Sequence, residues 1–161
     1  MSRERTMAQN RNLDRRLFLL AAATAAIALP ANAAKAPLAI KVYKSPTCGC
    51  CSDWVDRLRE AGFTTTVDDE SDLDAVKRKF AVPDDLASCH TGIINGFAIE
   101  GHVPPNDIRR FILRKSTALG LAVPGMPVNS PGMEAPHMMN EPYTVWEFFK
   151  DGKRKAFAKH G

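Results

Sequence analysis

The chain has 161 residues, with 22 Lys+Arg against 18 Asp+Glu and a formal charge of +4. That length suffices for one modest domain with its own core. The positive excess sits in the first 33 residues, which hold five arginines; residues 34–161 carry 17 basic and 16 acidic side chains. No basic stripe is left there, which argues against nucleic-acid binding.

Residues 1–16 are polar and include Arg3, Arg5, Arg11, Arg15 and Arg16. Leu17 to Leu29 is an apolar run of 13 residues, and Ala31-Asn32-Ala33 follows as an A-x-A cleavage pattern. These three regions predict a signal peptide, residues 1–33. The run is short of the roughly 20 residues that span a bilayer, so no stable membrane anchor is expected after cleavage. Asp14-Arg15-Arg16-Leu17-Phe18-Leu19-Leu20 resembles a twin-arginine export signal. Asp14 and the missing lysine after Leu19 depart from that pattern, and the ordinary secretory route stays open. Either route puts the expected location in the periplasm.

Leu38 to Tyr43 alternates apolar and other residues, as a strand does. Ser45-Pro46-Thr47 then turns the chain into Cys48-Gly49-Cys50-Cys51. Trp54, Val55, Leu58 and Ala61 fall on one helical face, and Gly62 is a natural stop. Phe63 to Val67 reads as a second strand. Ser71-Asp72-Leu73-Asp74 starts a helix with Leu73, Val76 and Phe80 at helical spacing, ended by Pro83. Thr91 to Ile94 and Phe97 to Glu100 flank Asn95-Gly96, a two-residue hairpin signal. Pro104-Pro105 opens a helix in which Ile108, Phe111 and Ile112 share a face.

Strand, helix, strand, helix, hairpin, helix is the order of a thioredoxin or glutaredoxin core. It predicts an α/β, thioredoxin-like domain over residues 34–115, with the cysteines at its first strand–helix junction. Residues 116–161 read as a C-terminal metal-site extension. Within it, residues 120–142 carry five prolines and three glycines, together with Met126, Met133, Met138 and Met139. That segment is expected to be irregular. Tyr143 to Phe149 and Lys153 to Phe157 flank Asp151-Gly152 and predict a closing β-hairpin.

The four cysteines are Cys48, Cys50, Cys51 and Cys89, the last followed by His90. A helix start favours thiolate over thiol through its free N–H groups and dipole. Thiolate serves both disulfide exchange and metal binding, so position alone does not separate them. Two structural disulfides would need one bond inside the trio and one to Cys89; within the trio only Cys48–Cys51 is free of strain. A dithiol oxidoreductase would use Cys48 and Cys51 and has no need of Cys50, Cys89 or an adjacent imidazole. A metal–thiolate site uses all four, with Cys89-His90 on a loop facing the helix start.

Zinc accepts three cysteines and a histidine. Thioether favours Cu(I) instead, and Met126 and Met133 occupy near-identical Pro-Gly-Met contexts. Copper is therefore the expected cofactor and zinc the lesser rival. Met126 and Met133 join Cys48, Cys50, Cys51, Cys89 and His90 as candidate ligands. His137 and His102 are weaker candidates; His160 reads as a solvated tail residue. No catalytic residue is singled out.

The sequence resembles the CopG-like copper-resistance proteins, an exported bacterial family marked by a C-x-C-C motif. The matching stretches are Tyr43 to Cys51, Ser88-Cys89-His90-Thr91, Ile99 to Pro104, Ala122 to Pro127, and Ser130 to Glu134. The resemblance covers essentially all of residues 34–161. It implies a thioredoxin-like domain whose C-terminal extension helps to bind metal. It also implies copper beside the C-x-C-C run, as several thiolate-bridged ions, and periplasmic interconversion of Cu(I) and Cu(II) ahead of efflux. The expected partners are copper ions and periplasmic efflux or carrier proteins, with the chain itself a monomer. Two alternatives remain open: a periplasmic thiol–disulfide oxidoreductase using Cys48 and Cys51, and a zinc or copper metallochaperone without redox turnover.

Overall fold

A computed structural model describes residues 38–161. The expected signal peptide, residues 1–33, lies outside them. In chain order the elements are β1 (Leu38–Lys44), α1 (Gly49–Glu60), β2 (Phe63–Asp69), α2 (Leu73–Lys79), a 3-10 turn (Asp84–Leu86), β3 (His90–Ile94), β4 (Phe97–Glu100), α3 (Pro105–Ile112), β5 (Gly120–Ala122), β6 (Tyr143–Phe148) and β7 (Arg154–His160). The strands form one mixed sheet in the order β2-β1-β3-β4-β5-β6-β7.

Local chemistry sets most of these elements. Ile40 and Val42 alternate with exposed residues along β1 and are buried. β1 pairs with β2 in parallel through the α1 crossover. On α1, Cys51, Trp54, Val55 and Leu58 form the buried face, and Gly62 takes φ +81° just past the helix end. Asp72 caps α2 by accepting from the Ala75 N–H at 2.9 Å. Asn95 and Gly96 both have positive φ, as a type I′ turn requires, and join β3 to β4 as a hairpin. Pro105 sits in the first turn of α3, where its missing N–H costs nothing, and Ile108 and Phe111 face the core.

One element departs from the sequence reading. Gly120–Ala122, inside the segment expected to be irregular, is a strand that runs parallel to β4. It has three residues, all buried, so no alternation marks it. A Cβ on Gly120 would lie only 1.9 Å from the Ala98 carbonyl oxygen, so only glycine allows that approach. β5 then pairs antiparallel with β6, and β6 with β7. The C-terminal strands thereby continue the same sheet, and Val145 shares a core cluster with Ile40, Trp54, Ile99 and Leu121.

Candidate metal centre

The β1–α1 junction gathers three of the four sulfurs. The Cys48 N–H closes a turn onto the Ser45 carbonyl at 3.1 Å and leaves Cys48 at the N-cap of α1. Cys48 and Cys51 are joined by a disulfide across a Cα–Cα distance of 5.4 Å. Cys50 and Cys89 are free thiols. The Cys50 Sγ lies 3.6 Å from that of Cys48. Cys89 enters from the loop before β3, and all four sulfurs lie within 4.8 Å of one another. Cys51 is fully buried, whereas Cys48, Cys50 and Cys89 reach the surface in part. Of the two bonds that a purely structural pairing requires, only the one inside the trio is made.

A second donor group shares Cys89. Its Sγ is 3.3 Å from His90 Nδ1 and 3.3 Å from His102 Nε2. His102 Nδ1 lies 2.9 Å from the Pro131 carbonyl oxygen, which can only accept, so Nδ1 carries the proton. The lone pair of Nε2 therefore faces the Cys89 sulfur. His90 is wholly buried, 4.3 Å from the Trp54 ring centre, and its Nε2 has no hydrogen-bond partner. An orphaned buried polar atom of this kind costs about 1–3 kcal/mol, and the other ring nitrogen, Nδ1, is the one that faces the Cys89 sulfur.

Burial holds His90 well below the ordinary imidazole range, with neighbouring His102 acting in the same direction. Burial also lowers His102, against an opposing pull from the Pro131 carbonyl. Both rings are neutral at neutral pH, the form that ligates metal. Burial, followed by the charge of Cys50, pushes the Cys89 thiol up to about 11. A soft cation would have to displace that proton.

Buried charges brace the loop that carries Cys89. Glu100 on β4 is fully buried and accepts from Lys77 Nζ, the Ser88 N–H and the Thr91 hydroxyl, each at 2.6 Å. Burial pushes the Glu100 carboxyl up, and these three donors oppose it. The Ser88 hydroxyl donates to the Gly125 carbonyl at 2.6 Å, tying the same loop to Pro124-Gly125-Met126. On the other side, Gly132 takes φ +85°, and a Cβ there would lie 2.6 Å from the Trp54 backbone nitrogen and 3.0 Å from the Cys50 carbonyl oxygen. The Pro131-Gly132-Met133 loop thus lies directly on the first turn of α1.

The sequence candidates separate accordingly. Cys48, Cys50, Cys51, Cys89 and His90 come together, and so does His102, one of the weaker candidates. Met126 is about half exposed (52%) and lines a groove with Pro124, Pro142, Tyr143 and Trp146. Met133 is partly buried in the loop lying on α1. His137, Met138 and Met139 are exposed. His160 is more than a solvated tail residue: its Nε2 meets Asp107 at 2.7 Å, away from the sulfurs. Sequence reasoning missed Glu100, Lys77 and the Pro131 carbonyl. A glutamate ending an apolar strand and a lysine beside Val76 were signals for the first two. A backbone oxygen leaves none.

Two solved structures are similar to this chain. "Copper resistance protein copG, Form 2" is 43% identical with a TM-score of 0.74; the match covers 78% of this chain and 99% of that one. "Copper resistance protein copG, Form 1" is 44% identical with a TM-score of 0.73, over 77% and 98%. A family described as proteins of unknown function, DUF411, matches residues 86–133, the stretch holding Cys89, His90 and His102. No curated protein sequence matches the chain.

Proposed function

We propose that this chain, which belongs to the family of CopG copper resistance proteins, binds copper at its cysteine cluster and interconverts Cu(I) and Cu(II) in the periplasm. One observation carries the reading: four sulfurs lie within 4.8 Å of one another, and one of them, Cys89, also touches two neutral imidazoles. With the Cys48–Cys51 bond reduced, four thiolates converge on one pocket and can bridge several Cu(I) ions. His90 and His102 add nitrogen donors, which suit Cu(II) better than thiolate alone does. Met133, on the loop against α1, and Met126, on the loop tied to Ser88, would cover the site. We read the β1–α1–β2 unit followed by the β3–β4 hairpin as a thioredoxin-like core, and the 1–33 segment as its export signal.

The test is anaerobic titration of the reduced full chain with Cu(I) against a chromogenic Cu(I) chelator. Tight uptake of more than one ion per chain is expected, reduced by Cys89→Ser and by His102→Ala. Failure of the reduced protein to hold any copper against the chelator overturns the reading. A zinc metallochaperone would hold Zn(II) tightly and be colourless in its native metal-loaded form, whereas a Cu(II)–thiolate site absorbs in the visible.

A second reading rests on the Cys48–Cys51 disulfide itself, which stands where a dithiol oxidoreductase would keep one. It predicts that Cys50→Ser and Met126→Leu leave insulin reduction unchanged. Loss of copper binding in Cys50→Ser, without insulin reduction by the wild type, decides against it.

A further inference from the structure

The four cysteines are chemically unequal. Two are already joined and two are free, although all four sulfurs share one pocket. Cys51 is fully buried, so an outside thiol can reach the bond only at Cys48, which is partly exposed at the helix N-cap. The free pair is placed differently. Cys50 Sγ stands 3.6 Å from Cys48, while Cys89 stands between two neutral imidazoles.

From this division we infer that Cys48 and Cys51 are the electron source with which the protein reduces Cu(II), while Cys50 and Cys89 retain the Cu(I) produced. The inference rests on the copper reading above and adds a direction and an electron donor to it. The step balances. Two Cu(II) ions take one electron each from the Cys48 and Cys51 thiolates; one S–S bond forms, and two Cu(I) ions result. When the cysteines start as thiols, two protons leave to water. The disulfide form described here is then the spent state of the cycle.

Local covalent geometry selects the pair. A Cys50–Cys51 bond would be vicinal and a Cys48–Cys50 bond would close a very small ring, whereas Cys48 and Cys51 lie one helical turn apart. After oxidation Cys50, Cys89, His90 and His102 remain as donors, a soft and nitrogen mixture that still holds Cu(I). Resetting requires a dithiol protein as reductant. Its thiolate attacks Cys48 Sγ, Cys51 leaves as thiolate and takes up a proton, and the partner's second thiol closes the partner's own disulfide while freeing Cys48.

The experiment adds Cu(II) anaerobically to the fully reduced full chain. A chromogenic chelator then reports Cu(I), and alkylation with peptide mapping reports which thiols have gone. The expected result is two Cu(I) per chain, with loss of two thiols mapped to a Cys48–Cys51 bond. In Cys51→Ser, with its fold checked by circular dichroism, reduction should slow by about 100-fold, because the second thiol is no longer held in place. Three results overturn the inference: copper that stays Cu(II) with four alkylatable cysteines, a disulfide that maps to Cys50 or Cys89, or wild-type reduction rates in Cys51→Ser. The Cu(I) titration described above is independent, so copper bound tightly but never reduced would overturn this inference and spare the copper reading.

Discussion

Cys89 is the residue on which both donor groups turn, and its protonation state has a direct readout. Its thiol is pushed up to about 11, chiefly by burial. Iodoacetamide modifies thiolate only, so labelling of Cys89 in the disulfide form should stay slow at pH 8 and rise with a midpoint near 11. A midpoint at the ordinary thiol value contradicts the burial argument. The two imidazoles make the opposite contribution to pH dependence. Burial holds both His90 and His102 below the ordinary imidazole value of about 6.5 in the folded chain. Above 6.5 neither state is protonated and stability is unaffected. As pH falls below 6.5 the unfolded chain takes up protons that the folded one refuses, so stability is lost towards the lowered folded values. Urea midpoints of the metal-free protein should therefore fall between pH 7.5 and 5.5, and fall less in His90→Gln. Equal slopes in both proteins would show that His90 is not the source.

At the scale of elements, the Cys89 loop is held by β4 and α2 rather than by its own turn chemistry. Glu100→Gln weakens the acceptor of three 2.6 Å hydrogen bonds and leaves the Lys77 charge in a site where Lys77 is 8% exposed. Breaking a buried pair from one side costs about 3–5 kcal/mol, whereas replacing both members by neutral groups is often close to neutral. Lys77→Met with Glu100→Gln should therefore recover much of the stability lost in Glu100→Gln alone, measured by denaturant unfolding. Copper affinity should stay depressed in the double variant, because the anchor on the Ser88 N–H is still weakened. Full recovery of both quantities would make the pair structural only. Much of the rest was legible in the sequence. Apolar period placed Trp54, Val55 and Leu58 on the buried face of α1, Asn95-Gly96 placed the hairpin, and Asp72 placed the start of α2. β5 was not legible, since a three-residue buried strand has no period to detect and its key residue, Gly120, acts through the side chain it lacks. At the site, cysteine spacing marked the helix-start trio, and the order of elements put Cys89-His90 on the loop that faces it. The contact of His102 with the Pro131 carbonyl depends on a chain approach between distant segments that no local pattern encodes.

On the scale of the whole molecule, β5 decides whether residues up to Lys115 could stand alone. It lies between β4 and β6, so removing everything after Lys115 opens the edge of β4 and strips the core at once. Leu121, Val123, Val145 and Phe148 are all fully buried. Each such side chain contributes about 1.5–3 kcal/mol by leaving water, which puts the four together at roughly 6–12 kcal/mol. A domain of this size has only about 5–15 kcal/mol in total. Residues 34–115 should therefore fail to fold, with no cooperative thermal transition and rapid proteolysis, while residues 34–161 unfold in one step. The same cut removes the Pro131 carbonyl that orients His102 and the Gly125 carbonyl that anchors Ser88. A truncated chain that still melted cooperatively would separate the two consequences: its core would then be self-sufficient, and any loss of copper binding would report the C-terminal loops alone.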